Sequence, residues 1–101
     1  MLYLLNNLSI GGVVMVSSEV TVNNSVGLHA RPATFFIQRA NSFKSSIWVE
    51  KDERRVNAKS LLGVLSLGIV KGTNITIVAD GTDDEEAVKT LVEVIESNFS
   101  E

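Results

Sequence analysis

After Val16 the apolar residues of this chain switch repeatedly between two spacings, and the order of those switches narrows the available folds more than anything else in the sequence. Ser18 to Asn23 alternates as S-E-V-T-V-N, the two-residue period of a half-buried strand, until the stretch from Asn24 to Gly27 breaks it. Beyond Pro32, residues Ala33, Phe36, Ile37 and Ala40 recur at helical spacing. Ile47 and Val49, set against Trp48 and Glu50, restore the alternation. A polar turn at Lys51 to Glu53 and a short strand around Arg55 to Asn57 then predict a hairpin. SLLGVLSLGIVKGT predicts a short helix that begins after Ser60 and ends near Gly68, with Gly72 in the following loop. NITIVAD is a further strand. Thr82-Asp83-Asp84-Glu85 has the form of a capping box, ahead of a helix with Val88, Leu91, Val92, Ile95 and Phe99 on one face. The order is strand, helix, strand, strand, helix, strand, helix. It predicts two layers, a mostly antiparallel sheet covered by helices on one face.

A chain of 101 residues supports one such core, so residues 15–101 are expected to form a single domain. The apolar opening MLYLLNNLSIGGVVMV lacks a basic leading segment and is interrupted by Asn6, Asn7, Ser9, Gly11 and Gly12, which suits neither a signal peptide nor a membrane span. Gly11-Gly12 followed by two valines and Met15 matches the translation of a purine-rich ribosome-binding sequence ahead of a start codon. Residues 1–14 are therefore expected to be an extension, either a start-site artefact or disordered. The alternative is a tail that adds a strand to a sheet edge. The absence of cysteine excludes disulfides and thiolate chemistry and fits a reducing cytoplasm. Net charge is −3, a poor basis for gripping nucleic acid, but the charge is divided. Eight of the twelve acids lie between Asp80 and Glu101, leaving residues 1–79 with eight bases against four acids and a basic face for acidic partners.

The stretch SVGLHARPAT holds the sole histidine and the sole proline. A glycine-containing loop delivers His29 to a helix start, where Pro32 fits because backbone N–H groups of the first turn have no helical acceptor. Free N–H groups and the positive end of the helix dipole attract anions there. Neutral imidazole is a nucleophile near physiological pH. A phosphoryl group on His29 would have its oxygens held by those N–H groups and by the guanidinium of Arg31. An ordinary surface or capping histidine is the alternative. No second histidine or local carboxylate gives metal-ligand spacing beside His29, so no metal site is expected.

GLHARPA, with KSLLGVLSLGIVKG some thirty residues later, resembles the HPr family, the histidine-containing phosphocarriers of the bacterial sugar phosphotransferase system. The resemblance covers residues 16 to 98. It implies an α+β, open-faced two-layer β-sandwich of order β-α-β-β-α-β-α, with an antiparallel four-stranded sheet in order 1-4-2-3 and three helices on one face. It also implies that His29 takes a phosphoryl group on Nδ1 from enzyme I and passes it to sugar-specific A components of permeases, with Arg31 stabilising the phosphate. A carrier of this kind is no independent enzyme, holds no cofactor, works in the cytoplasm as a monomer, and neither binds nucleic acid nor inserts into membranes. A second family position falls on Ser60, the substrate of an HPr kinase/phosphorylase in low-GC Gram-positive relatives, through which a catabolite-repression regulator is recruited. Leu61, Leu62 and Leu65 match positions that pack against partners. Taken alone, Ser60 also reads as an N-cap, and the leucines as core; Val64 and Leu67 are expected in the core.

One position departs from the family. Three residues before the histidine, where asparagine or serine is usual, this chain has Val26, so a side-chain partner for phosphate or imidazole is missing, unless Ser25 substitutes. Two other functions stay open from sequence. A purely regulatory HPr-like protein binds a transcription factor without transferring phosphate, but such relatives lack the active histidine. A small hydrolase with His29 as general base needs a partner that the neighbouring sequence does not supply.

Overall fold

The computed structural model describes residues 6–10 and 13–99, with side chains from Met15 onward. Five strands, β1 (Asn6–Ile10), β2 (Val13–Thr21), β3 (Ser46–Lys51), β4 (Arg54–Asn57) and β5 (Asn74–Asp80), form one sheet in the order β1-β2-β5-β3-β4. Every pairing is antiparallel. The four strands after β1 have the order 1-4-2-3 when numbered among themselves. Helices α1 (Ala30–Asn41), α2 (Leu61–Leu65) and α3 (Asp84–Glu96) complete the element order anticipated from periodicity.

Alternation sorts the strands into two faces. Val16, Val20, Ile47, Val49, Ile75, Ile77 and Ala79 are buried against the helices, while Glu19, Trp48, Glu50 and Thr76 belong to the opposite face. The helical stripe of α1 is buried as expected at Ala33, Phe36, Ile37 and Ala40, and α3 contributes Val88, Leu91, Val92 and Ile95. Each fully buried large side chain contributes about 1.5–3 kcal/mol, so this shared core is the main source of stability. On the open face Arg55 stacks over the Trp48 ring, 4.8 Å from its centroid, and its Nε donates to Glu50 Oε2 at 2.7 Å. The hairpin between β3 and β4 turns at Asp52, whose φ of 55° is one that aspartate adopts more readily than most residues.

Three details differ from expectation. Within residues 1–14, the structure shows the alternative offered by the sequence: Asn6–Ile10 is a strand paired with β2 from Asn6↔Ser17 to Ile10↔Val13, and β2 itself starts at Val13. Helix α2 stops at Leu65 rather than near Gly68. Ser66 turns back to donate its hydroxyl to the Gly63 carbonyl at 2.6 Å, while Arg54 Nη1 and Lys51 Nζ take the carbonyls of Ser66 and Leu67. Helix α3 ends at Glu96, so Phe99 is not on its face. Left-handed Asn98 and Phe99 reverse the chain, and the Phe99 ring still packs against the core from outside the helix.

The capping box is also rearranged. Asp83, not Thr82, is the N-cap of α3, and its carboxylate makes no cap hydrogen bond. It accepts instead from the backbone N–H groups of Lys44 and Ser45, both at 2.9 Å, and from the Ser45 hydroxyl, tying the loop before β3 to the start of α3. These donors, the Ser45 hydroxyl foremost, hold the Asp83 carboxyl down to about 2. A carboxylate whose folded value is lowered stabilises the fold above its unfolded value near 3.8, and that stabilisation disappears as pH falls toward 2. Asp83→Asn is therefore expected to be less stable than the parent in urea at pH 5–7. The two unfolding curves should converge as pH falls from about 4 to 2; a difference that does not vary with pH contradicts the clasp.

Candidate functional site

The connection from β2 to α1 lies flat on the connection from α2 to β5. Val22 N–H donates to the Thr73 carbonyl at 2.9 Å, Gly72 N–H to Val22 at 2.7 Å, and Leu28 N–H to Ile69 at 3.1 Å. Asn24 closes the loop on itself, its Nδ2 donating to the Gly27 carbonyl at 2.8 Å. Gly27 has φ of 63°, and a Cβ there would stand 2.4 Å from the Ile69 carbonyl oxygen. Only glycine permits this approach. Leu28 then plugs into the core, 3% exposed, and the next residue is thrown outward.

That residue is His29, the N-cap of α1, with extended backbone, an exposed side chain and no side-chain cap hydrogen bond. Its carbonyl accepts from Ala33 N–H at 2.9 Å. The first turn of α1 is Ala30, Arg31 and Pro32, so the N–H groups of Ala30 and Arg31 have no acceptor within the helix, and proline has none to satisfy. Acids fill the first turn of α3 at Asp84, Glu85 and Glu86; α1 has none. The positive end of α1 is thus left for an anion. Nδ1 of a histidine is as many bonds from Cα as the Oδ acceptor of an aspartate or asparagine cap.

Arg31 is exposed and makes no hydrogen bond or ion pair among the described residues. It borders an open cleft of about 660 Å³ between the Asn24–Val26 loop, Pro32 and Phe35 of α1, and the Asn98–Phe99 turn. Val26 is 51% exposed at the cleft rim. Ser25 is exposed there too. Helix α2 packs against α1. Ser60 is its half-buried N-cap, and the hydroxyl accepts from Gly63 N–H at 3.0 Å. Leu61 and Leu62 are exposed, Leu65 is half-buried against the core, and Val64 and Leu67 are inside it.

Sequence reasoning missed the C-terminal turn beside Arg31, because helical spacing carried Phe99 onto α3. It also missed exposed Val70, which reads as one more apolar residue in an apolar run. Among the described residues, no three histidines, cysteines or acids are grouped to hold a metal, and no helix is long and apolar enough to cross a membrane.

Residues 16–97 match the family model for the PTS HPr component phosphorylation site. The chain belongs to the HPr family. It is 48% identical over 82 residues to the HPr-like protein Crh of Halalkalibacterium halodurans, covering 81% of this chain and 98% of that protein. It is 41% identical over 87 residues to the phosphocarrier protein HPr of Neisseria meningitidis serogroup A, covering 86% and 98%. The crystal structure of HPr from Thermoanaerobacter tengcongensis superposes with a TM-score of 0.81 at 50% identity, covering 84% of this chain and 96% of that one. HPr proteins are phosphocarriers of the phosphotransferase system rather than independent catalysts. Apart from the added edge strand β1, the fold expected from the resemblance is the one observed.

Gly27→Ala tests what positions the histidine. A methyl group at φ 63° and 2.4 Å from a carbonyl oxygen forces the two connections apart, and a loss of roughly 1–3 kcal/mol is expected in urea unfolding. Parent-like stability contradicts the close approach.

Proposed function

We propose that this protein is a phosphocarrier: His29 accepts a phosphoryl group from phosphorylated enzyme I and gives it to sugar-specific A components of permeases. The observation that carries this reading is an exposed imidazole at a helix N-cap with no internal hydrogen bond and an uncompensated positive helix end beside it. In each transfer the Nδ1 lone pair forms the N–P bond as the donor's bond to phosphorus breaks, and the reverse occurs toward the acceptor. Arg31 and the N–H groups of Ala30 and Arg31 hold the phosphoryl oxygens. The carrier works as a cytoplasmic monomer, using Leu61, Leu62 and Leu65 as an apolar centre for docking. Residues 1–14, part of which adds the edge strand β1, take no part in the transfer.

Kinship with Crh favours a second reading, an HPr-like regulator that transfers nothing. The presence of His29 weighs against it. Incubation with enzyme I and labelled phosphoenolpyruvate separates the two. The carrier takes an acid-labile, base-stable label that His29→Ala loses without a change in melting temperature, and Arg31→Ala transfers roughly 10–1000-fold more slowly. An unlabelled parent, or a labelled His29→Ala, overturns the carrier function.

Ser60 adds regulation. Its ester with phosphate places nearly two negative charges beside Lys59 and Leu61, on a surface that meets acidic partners through its bases. Ser60→Asp is expected to slow His29 phosphorylation through a raised KM that varies with salt, while Ser60→Ala transfers normally and loses about 1 kcal/mol of capping. Treatment with HPr kinase/phosphorylase and ATP should give acid-stable phosphate on Ser60 and reduced transfer. Phosphate on another residue, or an undiminished rate after full modification, removes the regulatory role and leaves the carrier function intact.

A further inference from the structure

Half-buried Asn24 closes the loop ahead of His29 twice over: its Nδ2 donates to the Gly27 carbonyl at 2.8 Å, and its own backbone carbonyl accepts from Gly27 N–H at 3.2 Å. Only the nitrogen end of a carboxamide can donate to a carbonyl, and the group is planar, so the first bond fixes which way the oxygen end faces. That oxygen, Oδ1, is buried without a hydrogen-bond partner, and no other buried side-chain nitrogen or oxygen is left so among the described residues. A buried acceptor with no donor is costly, and one that a native fold retains calls for a partner. Asn24 lines the cleft of about 660 Å³ between its own loop, α1 and the Asn98–Phe99 turn, where the other polar side chains are Ser25, Arg31 and Asn98 and none is acidic. Arg31 has five N–H donors on a long, exposed side chain and makes no hydrogen bond or ion pair among the described residues. Val26, on the same rim, has no polar group to offer.

We infer that Asn24 is a positioning residue for phosphoryl transfer: with phosphate on His29, the Arg31 guanidinium lies across the mouth of the cleft, giving one N–H to Asn24 Oδ1 and others to the phosphoryl oxygens. The inference rests on the carrier function proposed above. A guanidinium is a rigid fork with more donors than one anion takes, so it can bridge two acceptors at once. Anchored on a loop that is itself bonded to Gly27, Arg31 gives up the rotational freedom of an exposed side chain before the phosphoryl group moves, and meets it aligned. Asn24 thereby supplies, through Arg31, the polar contact that Val26 cannot make.

The two ends of the Asn24 amide can be separated. Asn24→Ala removes both, whereas Asn24→Asp keeps an oxygen acceptor and loses the donor to Gly27. Each variant, alone and combined with Arg31→Ala, would be charged by enzyme I from labelled phosphoenolpyruvate, and the Arg31 side-chain N–H signals of the phosphorylated proteins followed by NMR. Both variants should melt at a lower temperature than the parent, since both lose the bond to Gly27. Asn24→Ala should slow transfer roughly 3- to 30-fold when Arg31 is present and less than about twofold in Arg31→Ala. The Arg31 signals should be protected from exchange with water in the parent and in Asn24→Asp, and lose that protection in Asn24→Ala. A rate loss of the same size with and without Arg31, or Arg31 signals that do not distinguish Asn24→Ala from Asn24→Asp, makes Asn24 a brace for the loop alone and overturns the inference. A labelled parent whose rate Asn24→Ala leaves unchanged also overturns it while the carrier function stands, and a parent that takes no label from enzyme I removes both.

Discussion

Gly27 lies against the peptide joining Ile69 to Val70 at a distance no side chain tolerates, and the position of the histidine follows from that contact. The left-handed glycine lets the Asn24–Gly27 turn press down on the second connection, Leu28 anchors the chain in the core, and His29 leaves the surface where α1 begins. The sheet supplies the platform. Strand β5 runs between β2 and β3, so the connection entering β5 is fixed by two ladders and can serve as a rigid support. A side chain held in place by backbone packing keeps its own ring free of hydrogen bonds, as the proposed bond to phosphorus requires.

Charge is distributed to the same end. The first turn of α3 neutralises its own dipole with three acids, and Asp83 is occupied by the loop before β3, while α1 presents a positive end with no acid in its first turn. Several bases of the first four-fifths of the chain have structural duties: Lys51 and Arg54 close the end of α2, Lys59 Nζ bonds the Phe43 carbonyl, and Arg55 pairs with Glu50. They still contribute positive potential, but Arg31 is unpaired among the described residues and adjoins the site. An anion meets an arginine fork, two free N–H groups and a helix dipole in the space of three residues.

Much of this was legible in sequence because it rests on short-range signals. The two-residue and helical periods locate the core faces of β3, β5, α1 and α3, and Ser60 as N-cap follows from a serine before an apolar run. His29 and Arg31 stand out through the loop, proline and helix start around them. What escaped depends on distant partners. Thr82-Asp83-Asp84-Glu85 has local capping chemistry, but the Asp83 carboxylate finds better donors at Lys44 and Ser45, which sequence distance conceals. Phe99 keeps helical spacing in sequence while the chain turns left-handed at Asn98. Val26 and Val70 belong to loops that meet only because two connections stack, and the strand at Asn6–Ile10, offered by the sequence as the alternative alone, depends on a sheet edge that no local pattern specifies.

We propose that the N-terminal N–H groups of α1 hold a phosphoryl group carried by His29 Nδ1. NMR of the uniformly labelled protein before and after phosphorylation by enzyme I measures this directly, through imidazole nitrogen shifts and backbone amide shifts. Phosphate is expected on Nδ1, with large downfield movement of the Ala30 and Arg31 amide protons and the α3 amides unmoved. Phosphate on Nε2, or Ala30 and Arg31 amides that stay in place, would contradict it.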